Sequence, residues 1–326
     1  MSLTDWVTNT SNKVRENGVT GLWDSTRLLY NGSWRIFCSR LPVGTHIYER
    51  DWELLILLDG CRVDTLKEFE GRTEPGFVDD VDRFRSVGST SREWLTKTFR
   101  PEYREEVGRT AYVSANPYTD EILTESGDNR SPFNPANWDT LTAEDFLTIE
   151  ELWRDEWDHG LGTIPPRPVT DRAITIGREL DPDRLIVHYM QPHQPFIGEQ
   201  ARSEDRSWID GNCWGALRRG ETTVERVRDA YRENLELVLK EVDILLQNVD
   251  AESAVVSSDH GNAFGEWGIY GHPGGFLHPS VKDVPWLPTQ ATDTRTYEPS
   301  AEAEAEASET ESDYSTEDRL RDLGYL

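Results

Sequence analysis

The chain has 326 residues, 36% of them hydrophobic and 29% charged, and is long enough to bury a substantial core in one large domain or two smaller ones. The longest apolar run, Leu54–Leu58, is far shorter than the roughly 20 residues that cross a bilayer, and the first residues lack the basic start and apolar core of a secretory signal. We therefore expect neither a transmembrane nor a secreted protein. The formal net charge of −27 repels nucleic-acid phosphates and disfavours a nucleic-acid-binding function.

The balance of charged residue types is also informative. Only five of the 34 basic residues are Lys, while Asp and Glu total 61. Few lysines and many scattered carboxylates indicate a halophilic protein that works in high intracellular salt, where self-repulsion is screened within a few Å. The three cysteines, Cys38, Cys61 and Cys213, form neither a CxxC metal motif nor a disulfide framework. A reducing, cytoplasmic location is the simplest expectation.

Residues 1–50 form the first predicted unit, a helical N-terminal extension. Apolar and polar residues are mixed here in a way that predicts one or two short helices packed on the main domain. An amphipathic helix at a membrane surface is an alternative, but the basic residues that such a helix uses are sparse. We expect any peripheral membrane contact to be weak.

Four apolar segments predict buried strands. In chain order they cover residues 54–58, 110–114, 184–190 and 253–258. Two helices are predicted between them: one that Thr170 caps and that ends near Leu180, and a longer one over 223–248 with apolar residues at spacings of three and four. Strands that alternate with helices predict an α/β fold, with a doubly wound, mostly parallel central sheet and helices on both faces. We expect this domain to cover residues 51–287.

Residues 288–326 form a third predicted unit, an acidic low-complexity tail. From about Pro288 to Thr316 the chain is too polar to bury a face, so we expect it to be disordered. The last residues, 319–326, are predicted to form a short helix that docks back on the domain.

Asp59 and Asp259 each follow an apolar strand, and ligands of parallel sheets bind at the carboxyl ends of the strands. His260 is adjacent to Asp259, and Gly261 allows a sharp turn. Two carboxylates and an imidazole favour Zn²⁺ or Mn²⁺, with Ca²⁺ or Mg²⁺ as alternatives. Taken alone, Asp-His-Gly also fits an aspartate that accepts backbone hydrogen bonds, followed by an exposed histidine. The matching position of Asp59 favours the metal interpretation.

The order of several segments resembles the alkaline phosphatase superfamily, in particular its sulfatase-like branch. The matching segments are the strand that ends at Asp59, residues 88–96, residues 188–196, residues 258–262, Gly271-His272-Pro273 and Val284-Pro285-Trp286. The resemblance spans about residues 53–287. It implies the doubly wound fold and the hydrolysis or transfer of phosphate or sulfate esters at a divalent-metal site.

The resemblance also implies roles for individual residues. Asp59, Asp259 and His260 match ligands of one metal ion, and the nucleophile position falls within residues 88–92. Ser89 and Thr90 both qualify as the nucleophile, because a hydroxyl at a helix start faces amide N–H groups and the positive end of the helix dipole. We prefer Ser89, since Thr90 has capping-box spacing with the residue three positions later. Equally, both hydroxyls can serve only as helix caps.

Three further residues fall at or near this implied site. Arg92 is either an anion clamp for the substrate or an exposed first-turn residue. His193 and His272 match the outer-site histidines, which hold a second ion in two-metal members and contact substrate oxygens in one-metal members; each also fits an ordinary loop or turn histidine. Gln191 and Gln194 stand where the two-metal pattern wants an Asp, so we expect one ion and leave the second open. His188 lies within a strand and is predicted to be a core or supporting residue.

The predicted function is a metal-dependent hydrolase or transferase that acts on phosphate esters of small molecules or glycans through a Ser or Thr nucleophile. No segment fits the C/S-x-P-x-R motif from which sulfatases make formylglycine. Asp259-His260-Gly261-Asn262 also resembles cofactor-independent phosphoglycerate mutases, but this chain is too short for their inserted domain. The alternatives are a sulfatase that acts without the modification, and a non-catalytic protein that binds acidic glycans or other proteins. Oligomeric state is not readable from the sequence.

Overall fold

The computed structural model describes residues 41, 43–124, 138–199, 212–300 and 314–325. The helices predicted near the N-terminus and Cys38 lie outside the described residues. So does the part of the acidic tail at 301–313.

A seven-stranded sheet forms the centre of the described structure. Its strands are β1 (Leu54–Leu58), β2 (Asp82–Arg85), β3 (Thr110–Ser114), β4 (Thr148–Glu151), β5 (Arg184–Tyr189), β6 (Ala251–Ser257) and β9 (Asp283–Ala291), while β7 (Ala263–Phe264) and β8 (Tyr270–Gly271) form a separate ribbon. The order across the sheet is β2-β9-β6-β1-β5-β3-β4. The five strands from β6 to β4 are parallel, and β9 pairs antiparallel with both β6 and β2.

The helices connect these strands or border them. They are α1 (Val63–Lys67), α2 (Ser91–Thr98), α3 (Arg104–Val107), α4 (Tyr118–Leu123), α5 (Pro166–Leu180), α6 (Cys213–Arg219), α7 (Val224–Leu246), α8 (Pro279–Lys282) and α9 (Thr316–Asp322), with short 3-10 turns at Ile47–Glu49, Pro101–Tyr103, Ala143–Asp145 and Glu266–Gly268. Among the described residues, we find no helix with the length and apolar character that a membrane span requires.

The central strand β1 contributes to two cores, one on each face of the sheet. Successive side chains of a strand point to opposite faces. One set packs against α5 and α7 and contains Leu54, Ile56 and Leu58, and the other packs against α2 and α4 and contains Leu55 and Leu57. Helices therefore cover both faces, which confirms the predicted doubly wound α/β fold.

The four predicted strands are present as β1, β3, β5 and β6, and the long predicted helix is α7, capped by Thr223 through a bond from Arg226 N–H. The helix predicted to start at Thr170 begins one turn earlier, at Pro166. Proline is favoured in a first helical turn because its missing N–H is not needed there. The Thr170 hydroxyl instead lies inside the helix, 2.8 Å from the hydroxyl of Tyr189.

The described C-terminal part begins with the end of strand β9 and finishes with a short helix. Strand β9 continues four residues past Leu287 because Pro288 and Thr289 pair with β6. The predicted terminal helix is α9, which begins at Thr316 and docks on the domain through buried Leu320 and Leu323.

The strand order determines where a ligand site can form. β5 and β6 lie on opposite sides of β1 and run parallel to it, so the carboxyl ends of these three strands lie side by side at one edge of the sheet. Such a switch in strand order opens a crevice at that edge of the sheet.

Candidate functional site

Hydrogen bonds between backbone and side-chain groups connect the loop after β1 to the loop after β6. Gly60, which follows Asp59, has φ +68°, and its carbonyl accepts a bond from Asn262 Nδ2 at 2.9 Å. A Cβ at Gly60 would lie 2.5 Å from that Nδ2 atom, and a Cβ at Gly261 would lie 2.4 Å from the carbonyl oxygen of Ser280. Both glycines are therefore required by the close approach of neighbouring groups.

The three predicted metal ligands, Asp59, Asp259 and His260, come together in this crevice and are fully buried. His260 Nε2 lies 3.6 Å from Asp59 Oδ1 and 3.4 Å from Asp259 Oδ2. Asp259 Oδ1 accepts bonds from the backbone N–H groups of Gly60 and His260, at 3.1 and 2.8 Å. Its other oxygen is thereby directed toward Asp59 and His260.

A serine that the sequence analysis did not select completes this group. Ser91 is the first residue of α2, and its Oγ lies 3.1 Å from Asp59 Oδ2 and 3.3 Å from His260 Nε2. The residue is fully buried. We call Asp59, Ser91, Asp259 and His260 the acidic cluster.

The two hydroxyls selected from the sequence have other partners. Thr90 is the N-cap of α2, and its Oγ1 accepts a bond from Glu93 N–H at 3.0 Å. Ser89 donates its hydroxyl to Glu93 Oε2 at 2.5 Å. The capping interaction expected of Thr90 is therefore present, and the structure places Ser91 rather than Ser89 or Thr90 against the carboxylates.

The remaining sequence candidates divide into two groups. Arg92 turns away from the cluster toward α4, where its Nη2 lies 2.8 Å from Glu121 Oε1. His193 and His272 border the cluster: their Nε2 atoms are 2.9 Å apart, and the His272 ring stacks on His260 at a centroid distance of 4.3 Å. The two histidines are thus brought to the site, and the arginine is held by an ion pair.

The hydrogen bonds of the imidazoles fix where their protons lie. His260 Nδ1 is 2.9 Å from the carbonyl of Gly261 and donates to it, and its Nε2 faces the two carboxylates. His193 Nδ1 likewise donates to the carbonyl of Gln194 at 2.6 Å. Burial lowers the pKa of His193 to about 4, so at neutral pH its Nε2 accepts the proton of His272 Nε2.

His188, predicted to be a core or supporting residue, also reaches the cluster. Its Nε2 lies 3.8 Å from Asp59 Oδ2 and 3.9 Å from Asp259 Oδ2, and its Nδ1 lies 2.9 Å from the hydroxyl of Tyr112. It comes from β5, the neighbour of β1 on the side opposite to β6. Three adjacent strands therefore each contribute an acidic or imidazole side chain.

The arrangement fits a divalent cation. Asp59 Oδ1, Asp259 Oδ2 and His188 Nε2 are buried without a hydrogen-bond partner, and ligand atoms of these three residues lie within 4.8 Å of one another. Burial and the Asp259 carboxylate raise the pKa of Asp59, while the imidazoles of His260 and His188 lower that of Asp259 against the effect of burial. A cation would relieve the repulsion between the carboxylates, and nitrogen and oxygen ligands suit Zn²⁺ or Mn²⁺.

A second group of charged side chains, Glu93, Lys97 and Lys282, lies next to Ser89 and is largely buried. Glu93 forms an ion pair with Lys97, with 2.5 Å between Oε1 and Nζ, and Lys282 is only 1% exposed. Burial lowers the pKa of Lys282 to about 7, although the charge of Glu93 acts in the opposite direction. In the unfolded chain a lysine keeps its proton up to about pH 10.4.

We expect the free energy of unfolding to rise with pH between about 7 and 8.5, and to rise less in a Lys282→Met variant. The unfolded state binds more protons than the folded state in this window, so raising the pH favours the folded state. Urea unfolding in molar KCl at both ends of the window measures the two slopes. The window stops at about 8.5 because burial raises the pKa of Cys61, whose ionisation in the unfolded chain has the opposite effect. If the unfolding free energy of both proteins rose equally with pH, this would contradict the lowered pKa of Lys282.

Comparison with known proteins gives structural similarity only. No protein-family model and no curated protein matches the chain. The chain is similar to the soluble domain of lipooligosaccharide phosphoethanolamine transferase A from Neisseria meningitidis, with a TM-score of 0.47 and 14% identity, over 79% of this chain and 82% of that one.

Two similar structures are C-terminal periplasmic domains of EptC. The domain of phosphoethanolamine transferase EptC from Campylobacter jejuni gives a TM-score of 0.42 and 15% identity, over 72% of this chain and 77% of that one. The domain of EcEptC from Escherichia coli, in a complex with Zn, gives a TM-score of 0.45 and 12% identity, over 78% of this chain and 77% of that one.

Proposed function

We propose that this chain is a metal-dependent enzyme that hydrolyses or transfers phosphate esters, with Ser91 as the nucleophile. The observation that carries the proposal is the position of Ser91 Oγ, within 3.3 Å of both Asp59 and His260 at the first residue of α2. A serine hydroxyl is a weak nucleophile unless a base or a metal activates it.

Asp59, Asp259 and His260 are the residues proposed to hold one divalent cation, with His188 as a further nitrogen close by. The unpartnered oxygens of the two aspartates and the Nε2 atom of His260 face one another in a fully buried space. When bound, the cation would neutralise charge on the phosphoryl oxygens and lower the pKa of a hydroxyl in contact with it.

Ser91 supplies the attacking oxygen of the proposed reaction. The bond from its Oγ to phosphorus forms while the bond from phosphorus to the oxygen of the ester's alcohol breaks, and the alcohol leaves with a proton. Water or a second alcohol then attacks the phosphoserine, which releases phosphate or a new ester and restores the Ser91 hydroxyl. The N-terminus of α2 contributes the positive end of its dipole to the transferring group.

His193 and His272 are proposed to move protons at the alcohol oxygen. Both are buried beside the cluster, and burial lowers both pKa values, so the imidazoles are neutral at pH 7. A neutral imidazole has one N–H donor and one acceptor nitrogen. In the bond between their Nε2 atoms, His272 is the donor, and this N–H can be redirected to an oxygen of the substrate.

The test is a paired ester assay in molar KCl on protein stripped of metal and reloaded with Zn²⁺ or Mn²⁺. Aryl phosphate, bis-aryl phosphate and aryl sulfate are offered in parallel. We expect turnover of a phosphate ester that depends on the added metal, and no release from the aryl sulfate. The preference between the two phosphates distinguishes a monoesterase from a diesterase.

Other outcomes of this assay would overturn the proposal. Turnover of aryl sulfate alone would support the sulfatase alternative. Metal binding without turnover of any ester, in the wild type and in the Tyr325→Ala variant described below, would support a binding protein without catalytic activity.

A further inference from the structure

The C-terminal segment, residues 314–325, returns to the carboxyl edge of the sheet and is held there by specific contacts. Leu320 and Leu323 are 4% and 0% exposed, and they belong to the cores on the two faces of the sheet. The carbonyl of Leu323 accepts a bond from Gln194 Nε2 at 3.1 Å, and buried Arg319 donates to the carbonyl of Tyr314 at 2.7 Å. The segment therefore packs against the domain through buried side chains and hydrogen bonds.

The end of this segment places a tyrosine in the acidic cluster. The hydroxyl of Tyr325 donates to Asp59 Oδ2 at 2.8 Å and lies 3.1 Å from Ser91 Oγ. Its ring stacks on the imidazole of His193, with a centroid distance of 4.7 Å and an interplanar angle of 17°. Tyr118 meets the ring edge-on at 4.9 Å, and His272 does so at 5.4 Å.

The position of Tyr325 is incompatible with a bound ester. Reacting atoms in a productive complex lie about 3–3.5 Å apart, so the phosphorus must come this close to Ser91 Oγ. The Tyr325 oxygen already occupies that distance, on the side of Ser91 that faces Asp59. With the segment in place, all four residues of the acidic cluster are fully buried.

We propose that the C-terminal segment is an internal competitor, in which the Tyr325 hydroxyl occupies the place of the phosphoryl group of the substrate. This proposal rests on the proposed function. The three rings around Tyr325 line the approach to that place and would contact an aromatic alcohol group attached to the phosphoryl group, so esters of aromatic alcohols are the substrate class that the subsite fits. Such an ester binds only after Tyr325 has left.

Full-length Tyr325→Ala and Tyr325→Phe variants, loaded with Zn²⁺, test the competition on an aryl phosphate. A closed conformation lowers apparent affinity by the fraction of molecules that are open. We expect Tyr325→Ala to lower KM by about tenfold with kcat unchanged, and Tyr325→Phe to lie between it and the wild type because it keeps the ring and loses the bond to Asp59. A fall in kcat in both variants would instead make Tyr325 part of the catalytic machinery and overturn the proposal.

A second measurement does not depend on turnover. A chelator added to the Zn²⁺-loaded protein should remove the metal about tenfold faster from Tyr325→Ala than from the wild type, because the opened site is more often accessible. Tyr314→Phe is the matched control: Tyr314 lies on the same segment, but its hydroxyl bonds to Asp322, so we expect wild-type rates.

The two measurements separate the two proposals. Faster chelation in Tyr325→Ala with no ester turnover would overturn the proposed function and with it the competition for an ester, and would leave Tyr325 only as a cover over the metal site. Unchanged chelation together with unchanged KM would overturn the competitor. Failure of all variants to bind Zn²⁺ would overturn both.

Discussion

Ser91→Ala should reduce metal-dependent turnover of a phosphate ester by about 10³-fold or more, whereas Ser89→Ala should keep it within about tenfold. Both serines are fully buried at the start of α2, two residues apart. The difference lies in their partners, because the Ser91 hydroxyl meets Asp59 and His260 while that of Ser89 meets Glu93. Steady-state kinetics of the two variants and the wild type, measured side by side in molar KCl, give the ratio.

Stability provides the control for this pair. Removal of the Ser89 hydroxyl deletes a charge-assisted bond to the buried Glu93, which should cost about 1.5–3 kcal/mol of unfolding free energy. Ser91→Ala deletes a bond to the buried Asp59 carboxylate and should cost a similar amount in the metal-free protein, so a difference in turnover between the two variants is not a difference in folding. Labelling with a radioactive phosphate ester followed by an acid quench should trap phosphoserine in the wild type and not in Ser91→Ala. Full turnover in Ser91→Ala with loss in Ser89→Ala would return the nucleophile to Ser89.

The sequence predicts the sheet, and the meeting of Asp59 with Asp259 at its edge, because both depend on local patterns. An apolar run that ends at Asp59 or just before Asp259 specifies a buried strand and the residue at its carboxyl end. Parallel pairing of β6 with β1 then brings these two ends together without further information. The observed cluster follows from the fold class and two strand ends.

The choice among the three adjacent hydroxyls needs information that is not local. Residues 89 to 91 differ mainly in the direction of their side chains, and these directions do not follow helical spacing because Thr90 is an extended N-cap and Ser91 is the first helical residue. Thr90 is recognisable as a cap from its spacing to Glu93, but the rotation of α2 is set by tertiary packing. One such contact is at Gly88, where a Cβ would lie 2.6 Å from Trp94.

His188 and Tyr325 show the same limit at longer range. The sequence pattern predicts His188 as a buried strand residue, as observed. Its approach to two carboxylates depends on the strand register that places it beside Leu57. Tyr325 is 266 residues away from Asp59 in the chain, and the local pattern predicts only the helix that precedes it. Contacts of this kind follow from the folded structure and not from spacing.

Asp259→Asn should lower the affinity for Zn²⁺ by about 100-fold or more, and it should remove the thermal stabilisation that the metal gives to the wild type. Asparagine keeps an oxygen for the N–H groups of Gly60 and His260, which now bind Asp259 Oδ1. Its amide nitrogen then takes the place of Asp259 Oδ2, the unpartnered oxygen 3.4 Å from His260 Nε2. The substitution therefore replaces a proposed ligand by a donor and preserves the surrounding loop.

Calorimetric titration of the metal-free proteins with Zn²⁺ measures the affinity directly. His188→Gln is the graded comparison, for which we expect a loss of about 10–100-fold, because His188 lies 3.8 and 3.9 Å from the two carboxylates and supports the site from β5. An affinity in Asp259→Asn equal to that of the wild type would contradict the proposed ligand set.

The metal-free proteins distinguish lost binding from misfolding by the sign of the stability change. Asp59 and Asp259 are fully buried and repel each other, and this repulsion, together with burial, raises the pKa of Asp59. Removal of the Asp59 charge should therefore leave a metal-free Asp59→Asn protein as stable as the metal-free wild type or more stable, since a carboxyl group with a raised pKa is disfavoured in its charged form. Thermal unfolding should therefore rank the variant and the wild type differently under the two conditions. The wild type is the more stable protein when Zn²⁺ is present, and it loses that advantage when Zn²⁺ is removed. An Asp59→Asn variant that is less stable under both conditions would indicate that Asp59 supports the fold and not the cation.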